Sequence, residues 1–502
     1  MPPSPSLFRY VQFRDSMTMK NYYILFCLFS IITTSYGQKN IPWKVSSPEE
    51  QGMNSLTFID GISRFKQANT NIHSLLVIRN NHIVLDACFY PFQKDYVHDI
   101  ASVTKSITSL LIGLAIDNGF IKSEDEQMLK YFPEYSVKND KLKNIRIKDL
   151  LNMASGLQCS WDDKEKELEQ MQENPDWVEF MLTLPFSSEP GGRFSYCSGN
   201  YYLLAEILQR TTKMKCHEFA KKYLFDLLQF RKTYWEENSK GVNHGWGDLH
   251  IHPYDLAKIG CLILNDGKWN GKQIISSEWL KKINPLYYIH GTESYGYGWW
   301  LDSENPDEIQ ALGRGGQRLF ILKEKNIVIV ATGGGFDAGD IDNLVLESIK
   351  SYNKNETHSA ELNSLIKTIQ SSDTKSIDGN GFSSSILNKT FQLEKNDLEW
   401  NAIRFEKRNK EYYLVLDFND GSKEEHPVGM DNQYKISNEH VFGLPIAIKS
   451  FWDNNKLFVD YNELCRINFY KFTFSFYENS VDFDFKDLTN KRNALLKGTV
   501  IK

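Results

Sequence analysis

The chain has 502 residues, 41% hydrophobic and 24% charged, enough to bury a sizeable core in two or three domains. Its 58 basic and 64 acidic residues are scattered and leave a formal charge of only -6, which argues against a nucleic-acid partner.

At the N-terminus, Met19-Lys20 precedes an apolar run from Tyr22 to Ile32, too short to span a bilayer comfortably, and then Thr33-Thr34-Ser35-Tyr36-Gly37-Gln38. Positive, apolar and small-residue regions in that order read as a secretory signal over residues 1–37, cut after Gly37, with translation beginning at Met17 or Met19. A membrane anchor is the alternative. The protein is therefore expected to be exported, periplasmic or secreted, with no stable membrane span once the signal is cut. Seven cysteines show no C-x-x-C spacing, and a chain of this size needs no disulfide scaffold. Most are expected to be free, with one pair possible in an oxidising compartment.

Asn54 caps a helix predicted to run to about Ala68. Leu75-Leu76-Val77-Ile78 and Ile83-Val84-Leu85-Asp86, split by Arg79-Asn80-Asn81-His82, read as a hairpin. Ile107, Leu110, Leu111 and Leu114 then recur at i, i+3, i+4 and i+7, predicting a helix that opens near Ser102 and closes near Asn118-Gly119. Ser102 and Lys105 lie one turn apart at its mouth, so the amine can reach the hydroxyl. A serine needs a neighbour to take its proton, and a buried lysine can be that neighbour. The S-x-x-K spacing alone is weak, because it recurs at Ser63…Lys66, Ser351…Lys354, Ser364…Lys367 and Ser372…Lys375. What sets Ser102 apart is its place at the start of an apolar helix.

From Ile121 to about Leu264 the pattern is helical, with few strand runs. Ile147 to Leu157 reads as a short helix stopped by Gly156, and the charge-dense Lys164 to Glu173 as a solvated face. Pro190-Gly191-Gly192 makes a turn before Arg193-Phe194-Ser195-Tyr196-Cys197-Ser198, and a helix with Leu203, Leu204, Ile207 and Leu208 follows. His250-Ile251-His252 has no third ligand nearby, so no metal is expected and the two histidines are placed along the cleft. Strands return at Tyr295 to Leu301, with Trp299 and Trp300 facing opposite ways. A hairpin follows, Leu319–Leu322 and Ile327–Val330, with Gly313-Arg314-Gly315-Gly316-Gln317 ahead of it. Gly333-Gly334-Gly335 lacks the lysine and hydroxyl of a phosphate loop and reads as a turn. Ile341 to Tyr352 closes this part as a helix. Strands flanking a helical middle imply an α/β lobe built from both ends, a helical lobe inserted between them, and a cleft where the two meet. Past a Ser, Asp, Gly and Asn-rich linker the chain alternates as strands, with Asn419-Asp420-Gly421 and Asp453-Asn454-Asn455 as hairpin turns. That reads as a separate antiparallel β domain, barrel or sandwich left open.

Ser102-Val103-Thr104-Lys105, then Tyr196-Cys197-Ser198, then Arg314-Gly315-Gly316-Gln317 ahead of a hairpin resembles the serine beta-lactamase and penicillin-binding-protein-like superfamily, specifically its class C-type branch. Leu150 to Leu157, Asp255 to Gly260 and Tyr295 to Trp300 add to the likeness, which spans roughly Ser47 to Tyr352. The resemblance implies an α/β (α+β) beta-lactamase/transpeptidase-like fold, an antiparallel sheet flanked by helices with an inserted helical lobe, here followed by the antiparallel β domain. The domains are then 1–37 signal, 38–355 hydrolase, 356–385 linker and 386–502 β domain. It implies a serine hydrolase without a cofactor that cleaves a small ester, amide or peptide. Ser102 would form the acyl-enzyme, Lys105 would share its proton, and Tyr196 would be the general base, its phenolate favoured by Lys105. The N–H groups of Ser102 and Gln317 would form the oxyanion hole, with Gly315 and Gly316 leaving room for substrate. Two positions depart from the branch. Ser198 stands where asparagine is usual, and a hydroxyl there can still hydrogen-bond Lys105. Arg314 stands where lysine or histidine is usual, and can clamp a carboxylate. The departures keep two alternatives in view, a catalytically silent module that recognises cell-wall peptides and a class C-type beta-lactamase or D-amino-acid peptidase. The oligomeric state is left open.

Overall fold

Leu75, Val77, Ile329 and Ala331 point to one side of a central sheet, and Leu76, Ile78, Val328 and Val330 to the other, so both faces are apolar and both are covered. In the computed structural model, which describes residues 43–159, 165–305, 307–372, 386–430, 432–438 and 441–501, this sheet has nine strands. Their order is Lys44–Val45, His82–Cys88, Ile72–Arg79, Ile327–Gly333, Gln317–Leu322, Glu308–Gly313, Trp299–Asp302, Glu293–Gly296, Tyr287–His290. All neighbours are antiparallel except the first pair. The signal segment expected over residues 1–37 lies outside the described residues.

Helices Ser55–Gln67 and Gly339–Lys350 cover one face, the first capped by the Asn54 side chain on the Leu56 N–H. A third helix, Ser359–Ile369, packs beside them through Leu362 and Ile369, inside the stretch expected to be linker. Its apolar positions find a partner surface that the polar composition around them conceals. The other face carries Val103–Asp117, Pro253–Leu264 and the inserted helical lobe, where Ser198–Thr212 packs on Val103–Asp117. Tyr295 to Leu301, expected as strand, is a hairpin that turns at Tyr297 and Gly298, φ 49° and 89°. Two successive left-handed residues are what a two-residue hairpin turn requires, and tyrosine hides the first of them from composition. Met153 likewise takes φ 54° and ends the short helix Ile147–Leu151 before Gly156 is reached.

The C-terminal domain is a ten-stranded antiparallel sheet in which Gly429, just past the strand Lys423–Val428 at one edge, bridges to Lys449 on Ile446–Asp453, the strand next to the other edge, making it barrel-like. Its interior is lined with aromatics, among them Trp400, Phe405, Phe472, Phe474, Phe483 and Phe485. Among the described residues, no helix is long and apolar enough to cross a membrane.

Candidate active site

The nucleophile candidate sits on a tightly held corner. Strand His98–Asp99 pairs with Leu249–Ile251, and the Ile100 N–H donates to the Leu249 carbonyl. Ala101 then adopts φ 45°, a left-handed conformation uncommon for alanine, with its N–H donated to Asp99 Oδ1 at 2.7 Å. That turn delivers Ser102 to the N-cap of helix Val103–Asp117. The helix is anchored beneath by the Ser106 hydroxyl on the Gly298 carbonyl and the Thr108 hydroxyl on the Gly245 carbonyl.

Lys105 is buried, 2% exposed, and its Nζ donates to Ser102 Oγ at 2.9 Å and to the Trp246 carbonyl at 3.0 Å. Burial lowers its pKa to about 8, partly offset by the charges of Glu165 and Asp248 and reinforced by that of Arg314. Roughly a tenth of the amine is then neutral at pH 7, some hundreds of times more than for an ordinary lysine. Tyr196 lies beside it, its ring centroid 4.8 Å from Lys105 Nζ and stacked against Trp300. Its hydroxyl is hydrogen-bonded to Ser102, but burial and the Glu165 charge push the phenol well above its ordinary value. A phenolate in the resting site is therefore disfavoured, contrary to the expectation that Lys105 would hold Tyr196 ionised.

Ser198, expected to hydrogen-bond Lys105, instead donates to Glu165 Oε1 at 2.6 Å. Glu165 belongs to the charge run read as a solvated face, yet φ 58° turns it into the cleft ahead of helix Lys166–Glu173. Gln317 opens its strand opposite Gly313 and is buried, its side-chain amide occupied by both main-chain groups of Gly333. The Gly315 and Gly316 positions are crowded from within the chain. A Cβ on Gly316, φ 96°, would lie 2.4 Å from the Phe336 ring, and one on Gly315, φ 83°, would lie 3.0 Å from Ile467 Cβ. The missing side chains thus accommodate Phe336 and the C-terminal domain, where substrate was expected. Arg314 is exposed on the rim. As expected of strand neighbours, Trp299 is fully buried and Trp300 lines the cleft.

His250 and His252 do not line this cleft. His252 caps helix Pro253–Leu264 and faces Lys94 and Arg231, while His250 packs edge-on against Phe442. Instead, Glu236, His244 and Asp248 bring ligand-type atoms within 4.8 Å of one another, and Asp248 also lines the Ser102 cavity. Arg466 from the C-terminal domain already pairs with Glu236, and His244 Nδ1 lies 2.8 Å from Asp248 Oδ2, so these groups balance one another. Cys197, beside Tyr196, forms a disulfide with Cys159, and Cys88, Cys216, Cys261 and Cys465 are free and buried.

Ser102, Tyr196, Trp300 and Arg314 all line one cavity of about 1130 Å³. A second cavity of about 780 Å³, beside Arg231, Tyr254 and Trp269, contains none of them.

The beta-lactamase family profile matches residues 66–342. The 6-aminohexanoate-dimer hydrolase of Paenarthrobacter ureafaciens is 23% identical over 282 residues, covering 51% of this chain and 71% of that protein. An uncharacterized protein of Alkalihalophilus pseudofirmus is 27% identical over 308 residues, 52% of this chain and 84% of its own. Among solved structures, EstCE1, a hydrolase with promiscuous acyltransferase activity, superposes with a TM-score of 0.51 at 12% identity, over 60% of this chain and 99% of its own, a likeness of fold alone.

Proposed function

Because the chain belongs to the beta-lactamase family, we propose that it is a serine hydrolase cleaving a small ester or amide through an acyl-enzyme on Ser102. The observation that carries this reading is the buried Lys105 Nζ, 2.9 Å from Ser102 Oγ, with its pKa lowered to about 8. The relative named 6-aminohexanoate-dimer hydrolase supports the reaction class.

Neutral Lys105 takes the Ser102 proton as Oγ attacks the substrate carbonyl carbon. The oxyanion is received by the Ser102 and Gln317 N–H groups, the former at the positive end of a helix. As the carbon–leaving-group bond breaks, the Tyr196 hydroxyl donates its proton to the leaving atom and is reprotonated from Lys105. Water then attacks the acyl carbon, its proton passes to Lys105, and Lys105 returns it to Ser102 Oγ as the acyl–oxygen bond breaks, restoring the alcohol and the neutral amine. The intact contact between Ser102, Lys105 and Tyr196 supports turnover over a silent binding role.

Export belongs to the same reading. The Cys159–Cys197 disulfide supports an oxidising compartment, and detection of the chain in the periplasmic or secreted fraction, beginning at Gln38, tests it.

The test of function is a panel of 4-nitrophenyl esters, anilides, D-amino-acid amides and a penicillin, given to the wild type and to Ser102→Ala. The proposal expects turnover of at least one ester or amide that Ser102→Ala loses. No turnover by the wild type, or equal turnover by the variant, contradicts it.

A further inference from the structure

The C-terminal domain reaches into the cleft. Residues 464–468 and 488–491 are two turns of the barrel, and Ile467, Thr489, Asn490 and Lys491 line the same cavity as Ser102. The turns are tied down in three ways. The Asp99 N–H, three residues before the nucleophile, donates to the Cys465 carbonyl at 2.8 Å. Arg466 is buried against Glu236 and is held protonated, against the cost of burial, by Glu236, Glu463, Asp99 and Asp248. Asn462 Nδ2 donates to Asn71 Oδ1 at 2.8 Å, and Asn71 in turn to the Gly334 carbonyl.

Lys491 is presented by a built turn. The Thr489 and Asn490 N–H groups both donate to Asp487 Oδ1, at 3.0 and 2.9 Å, and the Asn490 amide to Asp487 Oδ2 at 2.6 Å. The Thr489 hydroxyl donates to the Ile467 carbonyl, joining the two turns, and Lys491 itself takes φ 54°. Among the described residues, Arg193, Arg314 and Lys491 line the cavity with no acidic side chain within 4 Å of their charges. Most of the cavity's acids are engaged. Glu165 accepts from Ser198, Glu169 pairs with Arg492, Asp248 pairs with His244, and Asp99 accepts the Ala101 N–H. Glu293 remains, and burial raises its pKa.

We propose that the C-terminal domain is part of the substrate site, its 488–491 turn placing Lys491 in the same cleft as Arg314 to bind an anionic group, such as a carboxylate, carried by the substrate. These cations, which form no ion pair among the described residues, supply attraction for an anion in a cleft whose walls exclude part of the solvent. The proposal rests on the hydrolase reading only for what happens to the ligand after it binds.

The test uses the full chain with Ser102→Ala, so that binding is read without turnover. Calorimetry compares monoanilides of linear dicarboxylic acids, with two to six methylenes, against their methyl esters. At least one free acid is expected to bind tenfold or more tightly than its ester, and Lys491→Glu is expected to cut that ratio at least tenfold while circular dichroism and the melting midpoint match the parent. Three outcomes overturn the proposal: no acid is preferred, the preference survives Lys491→Glu, or it vanishes only in Arg314→Ala, which puts the anion on the hydrolase domain alone. A positive result with an inactive wild type would sink the hydrolase reading and leave this one standing.

Discussion

Lys105 Nζ lies 2.9 Å from Ser102 Oγ and 3.0 Å from the Trp246 carbonyl, and among the described residues no carboxylate pairs with the amine. Burial outweighs the more distant charges of Glu165 and Asp248, so its pKa falls to about 8.

The pH dependence follows with a definite sign. The base form of Lys105 is the deprotonated one, so kcat/KM for a neutral ester rises about tenfold per pH unit below the pKa and levels off above about 8. Tyr196 stays protonated across this range because its phenol is pushed upward, so no falling limb appears below about pH 10. A stopped-flow profile from pH 5.5 to 9.5 checks both limbs. A decline between pH 7 and 9 would assign the working proton differently.

Tyr196→Phe separates proton donation from packing, since the ring keeps its stack on Trp300. A 4-nitrophenolate departs without protonation, whereas an amine does not. The substitution is expected to cost anilide hydrolysis about 10²–10³-fold and 4-nitrophenyl ester hydrolysis about tenfold or less. Equal losses on both substrates would remove Tyr196 as the donor to the leaving group.

Arg466→Met leaves Glu236, Asp99 and Asp248 close together without their shared cation. Breaking a buried pair from one side costs about 3–5 kcal/mol, so the melting midpoint falls by several degrees. The double variant Arg466→Met with Glu236→Gln recovers part of that loss, as coupled partners do. A midpoint unchanged in the single variant would show that the two domains do not depend on this pair.

Much of the fold was legible because its signals are local. Ile107, Leu110, Leu111 and Leu114 mark the nucleophile helix by period alone, and the Gln317–Leu322 and Ile327–Gly333 hairpin shows as two apolar runs around a polar turn. What was not legible depends on partners far along the chain. Glu165 is one acid among many until Ser198, 33 residues on, defines its direction. Arg466 is an isolated arginine 230 residues from Glu236. The left-handed Ala101 and Tyr297 carry side chains that give no hint of such a backbone, because the surrounding hydrogen bonds and packing impose it.

The account turns on Ser102 being a nucleophile, and an intact-mass measurement with peptide mapping after treatment with a fluorophosphonate tests that most directly. One adduct per chain, mapped to Ser102, is expected in the folded wild type, slowed at least 100-fold in Lys105→Met and absent in Ser102→Ala. A folded wild type that takes no adduct, or takes it on another serine, would contradict the account.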